Sequence, residues 1–418
     1  MDKLLINGGN RLNGKVFIDS SKNSMLPIIA ATLLTEEEVV LKNIPTIIDV
    51  KKMFDIVTSL GGHVNYMQQE KTVVIKNDNI SSFEIPPDLT SDIRSSIFML
   101  GPIVSKYKKA KVSYPGGCDI GSRPIDLHLF GLKELGVKIV EDYGYIICDG
   151  TDMRPGIVHL DFPSVGATEN IMMAAVLLKG QTTILNPAKE PEILDLQNFI
   201  NKLGGKIEGA GTNKIVITGV DKLGGCEYTP IPDRIVAGTF MIAAAITRGK
   251  IVLENVNYEH VFSLINKLRK SGCNIDFNNG IICVESNRRP HACSFETQPY
   301  PGFPTDLQPQ LSVLQTVSKG ISIVTENLFE TRFRHLQELS KMGASVTFRD
   351  RTAIIKGVGK LHAANIIAYD LRGGAALVLA GLVAKGRTTI NNIKYIDRGY
   401  DGLEIKLNQL GADIERTK

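Results

Sequence analysis

The chain has no tryptophan, few aromatics (6%) and no cysteine pair at metal-binding spacing. Its six cysteines are Cys118, Cys148, Cys226, Cys273, Cys283 and Cys293. None forms a C-x-x-C pair and no histidine cluster accompanies them, which argues against zinc. Scattered thiols fit a reducing cytosol better than a disulfide scaffold. No G-x-x-x-x-G-K-[ST] phosphate loop and no G-x-G-x-x-G fingerprint occurs, so neither ATP nor NAD dependence has support. The net charge of +4 over 418 residues comes with no basic run, which removes the case for a nucleic-acid surface. The start, Met1-Asp2-Lys3-Leu4-Leu5-Ile6-Asn7-Gly8-Gly9, lacks the apolar core of a signal peptide. The apolar run 375–384 is too short to span a bilayer and reads as a buried helix. The expectation is a cytoplasmic protein with no membrane partner and no metal. Hydrophobic content of 43% and this length allow two or more domains with a sizeable core.

What is present is repetition, with a period of about 70 residues. A helix-ending glycine followed by a strand appears at Gly61, Gly136, Gly204, Gly272, Gly343 and Gly411. Glycine just past an amphipathic helix takes the left-handed C-cap conformation. A second mark is an apolar helix, a turn, a β-rich run and an asparagine, ending at Asn43, Asn186, Asn255, Asn327 and Asn392. Gly180, Gly249, Gly320 and Gly386 are read as supplying the turn. Asn279-Gly280 suits a tight hairpin. Alternating helices and strands predict an α/β architecture. A repeat scaffold without chemistry stays open at this point.

The second copy breaks the pattern. Where its asparagine should fall stands Pro115-Gly116-Gly117-Cys118, followed by Asp119-Ile120-Gly121-Ser122-Arg123-Pro124. A thiol near a fixed cation is stabilised as thiolate and can serve as acid or nucleophile. A departure from the common repeat at a reactive residue suggests function there. Lys22-Asn23 opens a helical run, with Ser20, Ser21 and Asn23 as plausible caps; a lysine beside a helix start can bind an anion. Arg94, Arg123, Arg372 and Arg398 fall at corresponding strand-to-helix junctions and fit one anionic ligand, although each alone also fits a surface ion pair. Asp306 lies in a loop flanked by Phe303 and Pro304. Partial burial would raise its pKa and make it a usable base, while a turn-forming aspartate bonded to its own backbone is the alternative.

At these residues the chain resembles the enolpyruvyl transferases, and among them the UDP-N-acetylglucosamine 1-carboxyvinyltransferase family. The resemblance rests on Ser21-Lys22-Asn23, Pro115-Gly116-Gly117-Cys118, Gly121-Ser122-Arg123-Pro124 and Ser164-Val165-Gly166-Ala167-Thr168. It continues through Glu190-Pro191-Glu192-Ile193, Pro232-Asp233-Arg234-Ile235, Phe303-Pro304-Thr305-Asp306 and Asp397-Arg398-Gly399-Tyr400. Several ordered motifs over the full length make it specific. The sister family acting on shikimate 3-phosphate does not use a loop cysteine as acid.

The resemblance implies an inside-out α/β barrel of two similar lobes, each of three repeats. One lobe would cover residues 22–229; the other would join 1–21 to 230–418. Site residues would come from both lobes, so that a cleft closes. The implied reaction transfers the enolpyruvyl group of phosphoenolpyruvate to the 3-hydroxyl of UDP-N-acetylglucosamine, with no cofactor, as the first committed step of peptidoglycan synthesis. Carried over, Cys118 gives a proton to the methylene carbon and Asp306 takes one from the sugar hydroxyl. Lys22, Arg123 and Arg398 grip phosphate and carboxylate. Asn23 and Arg94 contact substrate. Arg123, Pro124, Ile125, Asp126 and Leu127, with Ser164, Val165 and Gly166, shape the nucleotide site. Leu328 and Asp370 lie near the sugar or the closing lobe, and Arg372 binds substrate. Four positions depart from the family pattern: Ser21, Phe162 and Pro163 where some members carry a basic residue, and Val236 where a carboxylate is common.

Overall fold

Glycine and asparagine set the repeat. In the computed structural model, which describes residues 2–91, 93–116 and 124–417, the six helix-ending glycines take positive φ, from 85° at Gly136 to 104° at Gly61. Asn43, Asn186, Asn255 and Asn392 are also left-handed, with φ between 54° and 60°. In the last three the side chain gives a reason for the choice. Asn186 Nδ2 donates to Leu160 O and Asn255 Nδ2 to Ile18 O, each at 2.8 Å; Asn392 Nδ2 donates to Ala368 O at 3.1 Å. Asn327 makes the same bond to Thr297 O at 3.0 Å. Each strap joins the end of one strand to the end of its parallel neighbour.

The sheets share one plan. Strand Asn13–Phe17 lies parallel to Lys250–Glu254, with Val16 opposite Leu253. Lys250–Glu254 pairs antiparallel with Ile281–Glu285, which pairs antiparallel with Asn274–Asn278. The hairpin turn of that last pair is Asn279-Gly280, both at positive φ. Among the described residues, four other sheets repeat the order of one parallel and two antiparallel neighbours. In the sixth, built on Lys109–Ser113, Tyr145–Asp149 and Lys138–Asp142, a single parallel bridge from Glu84 to Lys111 stands where the fourth strand would be.

A parallel pair needs a crossover. In three sheets the crossover carries one buried helix, Val165–Ala175, Gln308–Val317 or Leu371–Gly381. The last holds the apolar run expected to be a buried helix, and all its residues are buried. Helices apolar on every side belong in a core. The outer helices are one-sided: Phe262–Lys270 buries Leu264, Ile265 and Leu268 and ends in three basic residues.

The described residues form two compact units, 2–19 with 232–417 and 20–116 with 124–231. Each has its own core. The first includes Phe240, Leu311 and Leu377, the second Met25, Leu100 and Phe199. The N-terminal strand Lys3–Asn7 fills the centre of the first unit's last sheet, between Arg387–Asn391 and Asp413–Thr417. No helix among the described residues is long and apolar enough to cross a membrane.

One turn differs from the sequence reading. Arg248, not Gly249, takes the left-handed conformation, at φ 57°. Gly249 is glycine because a Cβ there would lie 1.9 Å from Leu12 O. Leu12 O accepts Lys250 N at 2.9 Å, so the strand cannot retreat without breaking that bond. Gly249→Ala is therefore expected to destabilise the protein by about 2 kcal/mol or more. Gly359→Ala, with open space around the added methyl, should be near neutral. Chemical denaturation checks both, and equal midpoints would show that the strand yields.

Candidate active site

In the unit 20–116 with 124–231, the expected residues gather at helix starts. Lys22 opens Lys22–Ala31. Ser21 is its N-cap but makes no side-chain cap bond, contrary to expectation; its carbonyl instead accepts Met25 N at 2.9 Å. Asn23 follows in the first turn. Lys22 Nζ lies 2.7 Å from Asp49 Oδ2, and the two side chains are 11% and 3% exposed. So buried an ammonium needs a counter-charge.

The helix Lys22–Ala31 packs against the turn Arg94–Met99. Arg94 Nη2 donates to Pro124 O at 3.2 Å, which ties that turn to the segment read as nucleotide-binding. Pro124 and Ile125 lead into the helix Asp126–Glu134, with Leu127 in its first turn. Ser164 caps the helix Val165–Ala175, its Oγ accepting Ala167 N at 3.4 Å. A Cβ on Gly166 would stand 2.7 Å from His128 Cε1 and 3.2 Å from a Phe98 ring carbon. The close approach at Gly166 thus brings 164–166, 124–128 and the Arg94 turn together. His128 Nδ1 is fixed by Asn170 Nδ2 at 2.7 Å. Cys118 and Arg123 lie outside the described residues.

In the unit 2–19 with 232–417, Asp306 sits in the single turn Thr305–Leu307, just before Gln308–Val317. It is not bonded to its own backbone as a turn former. Its Oδ1 accepts Arg332 Nη2 at 2.7 Å; its Oδ2 accepts Arg372 Nη2 at 3.0 Å and Nε at 3.2 Å. Both arginines are 3% exposed and the Asp306 side chain 26%. Here the sequence expectation fails. Burial does push the carboxyl up, but the Arg372 and Arg332 guanidiniums outweigh it and hold Asp306 well below the usual carboxylate range. Arg372 is in turn fixed in its charged form against burial, by Asp306 first and then by Tyr400 and Asp233.

Asp370 is a helix cap: its Oδ1 accepts Arg372 N at 3.0 Å and Gly373 N at 2.8 Å. It therefore aims the arginine that holds Asp306. The Tyr400 ring lies under the Arg372 guanidinium, 5.6 Å to the centroid, with its hydroxyl 3.0 Å from Gln310 Nε2 and 2.9 Å from Thr239 Oγ1. Leu328 N donates to Glu326 Oε1 at 2.9 Å, so Leu328 belongs to the same network. Arg398 ends the turn Ile393–Arg398, and its neighbour Asp397 takes Arg416 on both oxygens, at 2.6 and 3.0 Å. His335, in the helix after Arg332, is pushed down to about 3 by burial and is a neutral ring.

Three participants had no signal in the sequence. Asp49, Glu326 and Arg332 stand in ordinary helical or turn contexts. Only the fold brings them to Lys22 and Asp306. Chemically, the unit 2–19 with 232–417 holds an ionised, partly accessible carboxylate between two guanidiniums, which can accept a proton and can draw an anion. The unit 20–116 with 124–231 holds a nearly buried lysine paired with Asp49, on a helix packed against the Arg94 turn, and a capped helix start at Ser164, groups suited to phosphate.

A sequence model of the EPSP synthase family (3-phosphoshikimate 1-carboxyvinyltransferase) matches residues 6–407. UDP-N-acetylglucosamine 1-carboxyvinyltransferase 2 of Caldanaerobacter subterraneus subsp. tengcongensis is 51% identical over 417 residues, covering 100% of both chains. UDP-N-acetylglucosamine 1-carboxyvinyltransferase of Thermotoga maritima is 47% identical, covering 99% of each. The crystal structure of the enolpyruvyl transferase NikO from Streptomyces tendae superposes with a TM-score of 0.91 at 25% identity, over 100% of this chain and 99% of that one. An EPSP synthase from Acinetobacter baumannii reaches 0.78 at 18% identity over 100% of both chains and shares the fold. That fold is the inside-out α/β barrel, helices inside and sheets outside. The chain belongs to the EPSP synthase family and, within it, to the UDP-N-acetylglucosamine 1-carboxyvinyltransferases.

Proposed function

We propose that the chain transfers the enolpyruvyl group of phosphoenolpyruvate to the 3-hydroxyl of UDP-N-acetylglucosamine and releases phosphate, opening peptidoglycan synthesis in the cytoplasm. The observation that carries the reading is the 51% identity, over the whole length of both chains, to a protein named for that transfer. The Asp306 geometry supports it, because addition of an alcohol to an enol phosphate needs a proton acceptor at the hydroxyl.

In this reading Cys118 gives its proton to the methylene carbon as the sugar oxygen bonds to carbon 2. Asp306 takes the hydroxyl proton. The methyl group so formed then returns a proton to the Cys118 thiolate, the bond from carbon 2 to phosphate oxygen breaks, the proton held by Asp306 leaves with the phosphate, and the enolpyruvyl ether remains. Cationic character at carbon 2 is favoured by the carboxylate of Asp306. Lys22, Arg123 and Arg398 hold the phosphate and carboxylate of phosphoenolpyruvate, with Arg372 close to the reacting carbon. Asn23 and Arg94 touch substrate. The paired segments 124–127 and 164–166, with Arg123, hold the uridine nucleotide. Leu328 and Asp370 border the sugar.

Phosphate release from phosphoenolpyruvate tests the reading. Release is expected with UDP-N-acetylglucosamine and not with shikimate 3-phosphate, and proton NMR should show the vinyl protons of the product. Release with shikimate 3-phosphate alone, or with neither acceptor, would overturn it.

A further inference from the structure

Glu326 stands just past the strand Ile321–Thr325, fully buried, yet carries a carboxylate that touches no cation among the bonds described. Four donors hold it instead. Oε1 accepts from Thr297 Oγ1 at 2.8 Å, Leu328 N at 2.9 Å and Phe329 N at 3.2 Å; Oε2 accepts from Thr305 Oγ1 at 2.9 Å. Burying a carboxylate is costly, so a role beyond filling space is expected. A carboxylate only accepts, and a hydroxyl has one proton. The Thr305 hydroxyl must therefore point its proton at Glu326, which turns its lone pairs outward. One of them accepts Arg332 Nη1 at 2.8 Å, and Arg332 Nη2 then reaches Asp306 at 2.7 Å. The turn that Glu326 holds by Phe329 N also places the Phe329 ring against the Arg332 guanidinium, 5.4 Å to its centroid. Glu326 thus fixes Arg332 from two sides.

We propose that Glu326 is a positioning residue for Asp306, setting the polarity of the Thr305 hydroxyl and the 327–329 turn so that Arg332 binds the Asp306 carboxylate in one geometry. It rests on the reading of Asp306 as the base and deepens it. The charged and titratable groups around Asp306 among the described residues are Arg332 and Arg372, with Tyr400 and Asp233 beyond Arg372 and Glu326 beyond the Thr305 hydroxyl.

The test compares Glu326→Gln, Thr305→Val and Thr305→Ser in the full chain. A glutamine can donate to Thr305 where the carboxylate only accepts, so the hydroxyl loses its fixed direction. Turnover is expected to fall about tenfold in Glu326→Gln and Thr305→Val, the scale of a misplaced catalytic group, and to stay near wild type in Thr305→Ser. The double variant should be no worse than either single one, as for two links of one relay. The readout independent of activity is the carbon-13 carboxyl titration of Asp306, assigned by its loss in Asp306→Asn. Loosening Arg332, in direct contact with Asp306 at 2.7 Å, weakens a cation that favours the ionised form and outweighs the loss of the more distant Glu326 charge, so Asp306 should titrate at higher pH in Glu326→Gln than in wild type, and also in Thr305→Val, which keeps that charge. A shifted titration in a chain that releases no phosphate would leave the positioning intact and sink the functional reading. If Glu326→Gln follows the wild-type curve, or if the two single losses multiply, Glu326 only packs and the proposal is overturned.

Discussion

Asp306→Asn is expected to lower turnover about a hundredfold or more, the usual scale for loss of a general base, while leaving substrate binding largely in place. Asparagine keeps the shape and can still accept one guanidinium through its carbonyl, but cannot take a proton from an alcohol. The structure sharpens what the pH profile should show. Asp306 is held ionised well below the usual carboxylate range by Arg372 and Arg332. The base form is therefore present through the neutral and mildly acid range, and protonation of Asp306 should not limit kcat/KM until the pH falls below about 4, the ordinary aspartate value. The same sign applies to stability. A depressed carboxylate contributes stability that is present above its unfolded pKa and lost as pH falls through the folded one. Asp306→Asn should thus be less stable than wild type at neutral pH, with the gap narrowing in acid. A carboxylate so firmly held is a weak base at rest. Proton transfer must accompany formation of the carbon–oxygen bond, or the arginines must be drawn toward the anionic substrate. Near-wild-type turnover in the asparagine variant, with a normal unfolding midpoint, would remove Asp306 from the mechanism.

Much of the fold was legible because it rests on backbone conformations that few residues allow. Gly61, Gly136, Gly204, Gly272, Gly343 and Gly411 announce left-handed helix ends from any distance in the chain. Asn186, Asn255 and Asn392 combine that conformation with a side chain that straps two parallel strands, so their recurrence in the sequence had a local cause. Gly249 was assigned the wrong reason, since its cause is the carbonyl of Leu12, which no local rule can see. The site divides the same way. Lys22 and Arg94 were legible as helix starts, whereas Ser164 entered only through the family resemblance. Arg332 and Glu326 were not, because the contacts that give them meaning join Asp306 and Thr305 to residues more than a helix away. The rule that burial raises a carboxyl's pKa failed at Asp306 for that reason: the two guanidiniums that reverse it come from elsewhere in the fold.

Cys118→Ser should lose most turnover, and an epoxide phosphonate that mimics phosphoenolpyruvate, such as fosfomycin, should alkylate Cys118 in preference to the other thiols. A serine hydroxyl is far too weak an acid to replace a thiol as proton donor to carbon. Cys118→Asp keeps an acid at the position, so it should retain turnover while losing alkylation. The rest of the chain makes the selectivity a demanding expectation. Burial pushes the Cys148 thiol up to about 12 and the Cys273 thiol up to about 11, and it also raises Cys226 and Cys293. Near pH 8 a thiol of pKa about 12 is ionised in only about one molecule in ten thousand, and the thiolate is the nucleophile. Four of the five described cysteines are thus poor competitors, and Cys283, partly exposed on its strand, is the control that matters. Peptide mapping after a limited exposure, with and without UDP-N-acetylglucosamine, measures it. Labelling confined to Cys118 fits a thiol whose loop is built for an anion. Equal labelling of Cys148 or Cys283 would mean that the loop confers no special reactivity. The proton donor to carbon would then have to be sought elsewhere in the chain, whatever the turnover of the serine variant.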